Sequence, residues 1–365
     1  MTDYTEKTNH PIHPSEILRD ILLDREISQV SLAKRLGIST KHMNELISGK
    51  VSLTPSMALK MEFALGTPSE TWLRLQSNYD IITARILIEK QIEEQMRSEK
   101  DLLVQFSNCY TNLQKWNCVP RTLSRKDRYT SILNFFATPS LQLVSNNYGS
   151  VKFRKSQKSP DLYTIAGWLR YGERQFRECE INVNFNASLF RSSLDKIKSL
   201  TREPIETATK ELVDICAEAG VVVVFTPYFS KTYINGSTRW IVPSRPLIQL
   251  TERHKRGDGL WFTFFHEATH ILKHSKKRDY ISWEADLASD YEEKEADEEG
   301  RNYLIDPNIY KAFVSKKDFS YQSILKFSEK NGIGADIVAG RLAHEEKIEW
   351  SAANPLFQKI LIEKK

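Results

Sequence analysis

Leu260-Trp261-Phe262-Thr263-Phe264-Phe265-His266-Glu267-Ala268-Thr269-His270 places an apolar run directly before a His-Glu-x-x-His pattern. The run predicts a buried helix. On that helix His266 and His270 are four residues apart and share a face. Two imidazoles at this spacing suit one zinc ion, leaving positions for a third ligand and a water. Glu267 falls about 100° round the helix, where a carboxylate reaches that water as general base. The alternative is a helix with two surface histidines and a solvated glutamate.

A third ligand has to come from elsewhere, and the acidic stretch 291–304 supplies candidates. Ala296, Gly300, Tyr303 and Leu304 fall on one helical stripe, and Glu293 falls within it. Glu292 lies just outside one edge, while Glu295 and Glu299 are expected to face solvent. Asp297 sits at the other edge, one turn after Glu293. The phase selects Glu293 as ligand and Asp297 as the carboxylate that holds the free N–H of a ligating histidine. A solvated acidic helix would explain the charge but not the carboxylates in the apolar stripe. His274 is eight residues after His266, about 12 Å along the axis. One ion does not span that distance, so His274 is expected at the helix C-terminus, where an imidazolium is favoured.

The whole chain has 365 residues, enough for two or three domains with a sizeable core. At 40% hydrophobic and 27% charged it has ordinary globular usage. No apolar segment follows Met1 as in a secretory signal, and no run is long enough to span a bilayer. Cys109, Cys118, Cys179 and Cys216 are widely spaced without a Cys-x-x-Cys pair. Together these point to a reducing cytoplasm and away from a disulfide scaffold. A net charge of +5 is a weak pointer to anionic partners.

Residues 13–50 read as helix, short glycine turn, helix. His13-Pro14-Ser15-Glu16 opens an amphipathic helix carrying Ile17, Leu18, Ile21 and Leu22. Ser28 is a plausible cap for Gln29 to Leu36, which Gly37 stops; Ser39 caps Thr40 to Ile47, which Gly49 ends. This is the form of a helix-turn-helix, whose second helix enters the major groove. The residues so presented are Ser39, Thr40, Lys41, His42 and Asn44, with Gln29 placed to reach a phosphate. Residues 1–80 hold nine Lys/Arg against ten Asp/Glu. Within 34–50, however, Lys34, Arg35, Lys41 and Lys50 face only Glu45. Local charge permits DNA binding with a modest salt-driven contribution per copy. An ordinary helical bundle that does not bind DNA fits the same pattern.

From His13 to Asp80 the chain closely resembles HigA-type antitoxins, a branch of the Xre/Cro-like helix-turn-helix regulators. The matching phrases are HPSEILRD, SQVSLAKRLGIS, ELISGK, TPSMALKM, ALGTPSETWL and LQSNYD. The run 71–80 is the most specific, because it lies beyond the generic DNA-binding motif. The C-terminal part resembles the ImmA/IrrE metallopeptidases through VVVVFTP, FTFFHEATHILKH, EKEADEEG and Leu304-Ile305-Asp306-Pro307. Ala268-Thr269 stand where Leu-Gly is common in that family; neither ligates metal, so any consequence falls on substrate fit. The two resemblances cover roughly half the chain. They imply a peptidase that acts on helix-turn-helix repressors or antitoxins, here fused to such a module.

The middle is less informative. Ile81 to Cys118 reads as one or two charged helices, either a dimer seam, a spacer or a helix packed on its own domain. Val119-Pro120 breaks it. The basic stretch 152–158 reads as a solvated loop, the alternative being a DNA contact. Helices are expected over Ile165 to Tyr171, Ser188 to Leu200 and Ile205 to Ala219, and strands over Val221 to Phe225, Arg239 to Val242 and Leu247 to Leu250.

The expected fold class is mostly α, α+β. A helix-turn-helix domain (1–80), a helical linker or dimer helix (81–120) and an intermediate, mostly helical region (121–200) precede a zincin-like α+β domain with a small sheet (201–365). The expected function is a cytoplasmic, dimeric regulator that binds an inverted-repeat operator in double-stranded DNA. It would carry a Zn2+-dependent endopeptidase with Glu267 as base and His266, His270 and Glu293 as ligands. His254, Arg256 and Tyr280 are candidates to stabilise the oxyanion. The protein substrate would be a repressor, an antitoxin or the chain itself. The alternative is an antitoxin that represses its own operon and neutralises a toxin, its metal domain a sensor or scaffold.

Overall fold

The computed structural model describes residues 11–148, 160–181, 183–251, 253, 255–276, 280–283 and 291–359. The basic stretch 152–158 and His254 lie outside them. The chain divides into two compact units, Met1–Ser98 and Glu99–Lys365. No helix among the described residues is long and apolar enough to cross a membrane.

The first unit holds α1 (Pro14–Asp24), α2 (Gln29–Leu36), α3 (Thr40–Ile47), α4 (Pro55–Leu65) and α5 (Ser69–Ser98). Local chemistry sets the ends. His13 and Glu16 form a reciprocal capping box on α1. The Ser28 hydroxyl accepts from Ser31 N and the Ser39 hydroxyl from His42 N, starting α2 and α3. Gly37, at φ 64°, turns the chain out of α2 in a conformation that costs a residue with a side chain more. Leu18, Leu32, Leu36, Met43, Leu46, Ala58, Met61 and Trp72 build one core. Burying each large side chain contributes roughly 1.5–3 kcal/mol. The buried Gln76 side chain accepts from Leu53 N (2.9 Å) and donates to Asp80 (2.9 Å), tying α5 to the segment before α4.

Helices then alternate with a small sheet in the second unit: α6 (Lys100–Gln105), α7 (Ser107–Lys115), α8 (Arg125–Phe136), α9 (Leu141–Tyr148), α10 (Leu162–Glu178), α11 (Ala187–Ser199), α12 (Ile205–Glu218), β1 (Val222–Thr226), β2 (Ile234–Val242), β3 (Arg245–Thr251), α13 (Gly257–Lys273), β4 (Tyr280–Trp283), α14 (Tyr291–Leu304), α15 (Pro307–Val314), α16 (Tyr321–Asn331), α17 (Ala335–His344) and α18 (Trp350–Ala353). The strand order is β1-β3-β2-β4. β1 runs parallel to β3, while β2 is antiparallel to β3 and β4. Helix α13 is almost wholly buried: Trp261, Phe264, Phe265 and Ala268 join Ile248 and Leu250 of β3, Leu212 and Ile215 of α12, and Val338 and Leu342 of α17 in the main core. The chain is thus mostly helical with a small mixed sheet.

Three local expectations change. The charged segment from Ile81 falls in three helices rather than one or two. α5 ends at Ser98, and α6 and α7 follow in the second unit. β2 begins at Ile234, five residues before the expected Arg239, and β4 was not anticipated. Asn235-Gly236 has the composition of a turn, yet Gly236 pairs with Leu250 of β3 and Ser282 of β4 and keeps the segment in a central strand, with a register shift at Asn235.

Candidate metal centre and nucleic-acid interface

The metal candidates come from two helices. α13 supplies His266 and His270, both buried; α14 supplies Glu293. Gly300 sets the approach, since a Cβ there would stand 3.1 Å from His266 N. A larger residue would push α14, with Glu293 and Asp297, away from the imidazoles.

His266 Nε2 and His270 Nε2 are 3.0 Å apart, and Glu293 Oε2 lies 3.3 Å from the first and 3.7 Å from the second. A tetrahedral ion with bonds of about 2.0–2.1 Å needs ligand atoms about 3.3–3.4 Å apart. The donor set of two imidazoles and one carboxylate therefore fits zinc by size and chemistry. Among the described residues this is the one group of three or more His, Cys, Asp or Glu side chains with donor atoms close enough to share an ion.

The surrounding bonds orient the imidazoles. Asp297 Oδ1 lies 2.9 Å from His266 Nδ1. His270 Nδ1 lies 2.8 Å from His274 Nδ1, and His274 Nε2 lies 3.4 Å from Glu295 Oε2. With both Nε2 atoms turned to an ion, His266 donates its Nδ1 proton to Asp297 and His270 donates to His274. His274 then accepts at Nδ1 and presents Nε2–H to Glu295. The tyrosine ring of Tyr280 stacks on His270, centroids 4.1 Å apart. Without metal the cluster is strongly polarised. Burial opposes charge on His266, but hydrogen bonds to Asp297 and Glu293 outweigh it and push the imidazole up to about 10. Burial brings His270 down to about 4. Burial also works against charge on Glu293, yet the two histidines hold its carboxyl well below the usual range.

Glu267 is fully buried beneath β2. Thr238 Oγ1 lies 2.7 Å from Glu267 Oε2 and 3.0 Å from the Glu267 carbonyl; its one proton serves the closer carboxylate. Gly236 covers the other oxygen: a Cβ there would come within 2.9 Å of Glu267 Oε1 and 2.6 Å of the Thr263 methyl. Sequence reasoning missed Thr238 and Gly236. The usable signal was a glycine and a threonine two residues apart, which share a strand face.

Other candidates separate. Glu295 does not simply face solvent. It lies 3.1 Å from Lys273 Nζ and 3.4 Å from His274, because α14 crosses the end of α13. Arg256 is engaged away from the centre, bonded twice to Asp258 at 3.0 Å and stacked over Trp350 and Phe357. It also caps the start of α13, ten residues before His266, about 15 Å along the axis. Tyr280 stays close, with its hydroxyl 3.1 Å from Ser275 N and 3.3 Å from Glu292 Oε2.

In the first unit, Gln29 opens α2, and Thr40, Lys41, His42 and Asn44 form the first turns of α3 after its cap Ser39. All are exposed except His42, which is half-buried with Nδ1 3.6 Å from Glu45 Oε2. The polar ends of α2 and α3 thus face outward while Leu32, Leu36, Met43 and Leu46 fill the core.

No protein-family model matches the chain. Over 81 residues it is 30% identical to the uncharacterised helix-turn-helix type transcriptional regulator YddM of Escherichia coli, covering 22% of this chain and 85% of the relative. Over 71 residues it is 35% identical to virulence-associated protein I of Dichelobacter nodosus, covering 19% of this chain and 66% of the relative. A solved structure of Pseudomonas aeruginosa antitoxin HigA with the higBA promoter is 34% identical; it covers 24% of this chain and 95% of that one, with a TM-score of 0.22. Through its N-terminal region the chain belongs to the helix-turn-helix transcriptional regulators.

Proposed function

We propose that this chain is a dimeric operator-binding regulator whose second unit is a zinc-dependent endopeptidase. Its target is a peptide bond in a repressor, an antitoxin or another copy of the chain. The observation carrying the reading is the convergence of His266, His270 and Glu293 beside the buried Glu267 of the same helix. Zinc held by those three residues would polarise the scissile carbonyl and bring a water's pKa toward about 7. Glu267 takes the proton of the attacking water and passes it to the leaving amine. Thr238 fixes the Glu267 carboxylate through one oxygen and Gly236 packs against the other, so β2 holds the proposed base in one orientation. Asp297 and His274 fix the ring orientations of His266 and His270. In the first unit, Ser39, Thr40, Lys41, His42 and Asn44 meet base edges and Gln29 meets a phosphate.

The decisive experiment compares wild type with Glu267→Gln for metal content and for proteolysis of helix-turn-helix repressors, including the chain itself. Retained zinc with cleavage reduced at least about a hundredfold supports the reading. No cleavage by the zinc-loaded wild type under any inducing condition sinks it.

A second reading is an antitoxin that represses its own operon and neutralises a toxin, with the metal centre as sensor or scaffold. It is favoured by the antitoxin-like phrases over 64–80, where Trp72 and Gln76 lock α5 onto the helical core. Here Glu267→Gln would regulate and neutralise like wild type.

A further inference from the structure

A second charged site lies in the same unit, away from the candidate metal centre. A cavity of about 300 Å³ is lined by Phe136, Val144, Tyr148, Arg170, Glu173 and Arg239, with Thr138 and Asn147 beside them. Arg170 and Arg239 are both more than nine-tenths buried. They share one carboxylate: Arg170 reaches Glu173 at 2.9 Å and Arg239 at 2.7 Å. Burial works against charge on Glu173, but the two guanidiniums hold it below the usual carboxylate range, so it is ionised near neutral pH. The lining carries two cations and one anion.

The guanidiniums are only partly satisfied. Arg239 donates to Leu169 O and Gln249 Oε1, and Arg170 to Phe135 O. The Nε of Arg239 is buried with no hydrogen-bond partner. A guanidinium taken out of water and left with an uncompensated charge and an unmet donor is unfavourable, and a bound anion relieves that penalty. Arginine pairs match carboxylate and phosphate oxygens in a planar fork. Phe136 and Val144 supply an apolar wall, and the cavity has room for a small ring.

We propose that this cavity binds a small organic anion, with a carboxylate or phosphate-ester head on Arg170 and Arg239 and an apolar body against Phe136 and Val144. Its location gives the ligand a bearing on the metal centre. Arg239 follows Thr238 on β2, and the two side chains leave opposite faces of the strand, one to α10 and the other to Glu267 of α13.

Titration calorimetry of the full chain tests the site with benzoate and phenyl phosphate as probes and benzamide as the uncharged control. Binding of either anion at one per chain, at least about tenfold tighter than benzamide, is expected. Comparing the two anions decides between a carboxylate and a phosphate-ester head. Arg239→Gln should weaken the bound anion at least about tenfold. Since that variant removes a buried group, Asn147→Trp provides a second route: position 147 is exposed, so the protein should keep its wild-type melting curve while the indole fills the cavity mouth and blocks binding. Failure of both anions to bind, equal binding of benzamide, or undiminished anion affinity in folded Asn147→Trp would overturn the proposal.

Discussion

Thr238 on β2 donates its hydroxyl proton to Glu267 on α13 across 2.7 Å, inside a layer closed to solvent. A carboxylate that accepts a hydrogen bond is stabilised in its charged form, the form a general base needs. The bond also removes one of two ways the carboxylate can turn. Thr238 is therefore a positioning residue for the proposed chemistry, acting through Glu267.

Thr238→Val keeps the shape and deletes the donor. The expected result is a fall in kcat of about tenfold with little change in KM. Losing the donor raises the pKa of Glu267, so the acidic limb of the pH–rate profile should move to higher pH. Serine at this position should restore both. An unchanged profile would reduce Thr238 to packing.

Zinc content sorts the ligands. His270→Ala and Glu293→Ala should lose most of the metal, whereas Glu267→Gln should keep about one zinc per chain. Asp297→Asn should weaken affinity about 10–100-fold by releasing the His266 ring. Glu298→Ala is the proper control, being exposed on α14; Glu295 is not, because it receives the His274 bond. Mass spectrometry of the native protein and competition with a chelator read these outcomes. Full zinc in His270→Ala would dismiss the assignment.

Stability of the metal-free protein should peak near neutral pH. His270 is lowered from 6.5 to about 4, so between these values the unfolded chain binds more protons and stability rises with pH. His266 is raised from 6.5 to about 10. Its contribution is fully present below 6.5 and is lost as pH rises through about 10. Urea midpoints of chelator-treated protein across this range give the curve. His266→Gln should flatten the alkaline limb and His270→Gln the acidic one, and zinc should abolish the alkaline loss by taking the proton's place. A monotonic curve would mean that other groups dominate.

What could be read from the sequence depended on whether the information was local. Ser28, Gly37 and Ser39 cap their helices through bonds spanning three or four residues, so α2 and α3 come out at the residues expected. The phase of α14 likewise put Glu293 and Asp297 on one side, and both meet His266. The failures are non-local. The strand expected from Arg239 starts at Ile234, because β3 and β4 pair with Gly236 on either side and extend it. Glu295 reads as solvated until Lys273 and His274 arrive from another helix. Arg170, Glu173 and Arg239 are up to 69 residues apart in sequence, and only the packing of α10 on the sheet brings them together.

The last prediction concerns the first unit. Lys41 and Asn44 are exposed at the start of α3, and Gln29 is exposed at the start of α2. If α3 enters the major groove, Lys41→Ala and Asn44→Ala should each cost about 1–3 kcal/mol at their own base pairs and blur discrimination there. Gln29→Ala should weaken operator and random DNA alike, since a phosphate contact carries no sequence information. The local cation count is small, so the slope of log affinity against log salt should be shallow for one copy and about twice as steep for a dimer on an inverted repeat. Because the chain folds as two units, Glu267→Gln should leave all of these values unchanged. Fluorescence anisotropy with promoter and scrambled duplexes at several salt concentrations measures each quantity. Equal affinity for both duplexes in wild type would remove α3 from the reading helix role, whatever the metal centre does.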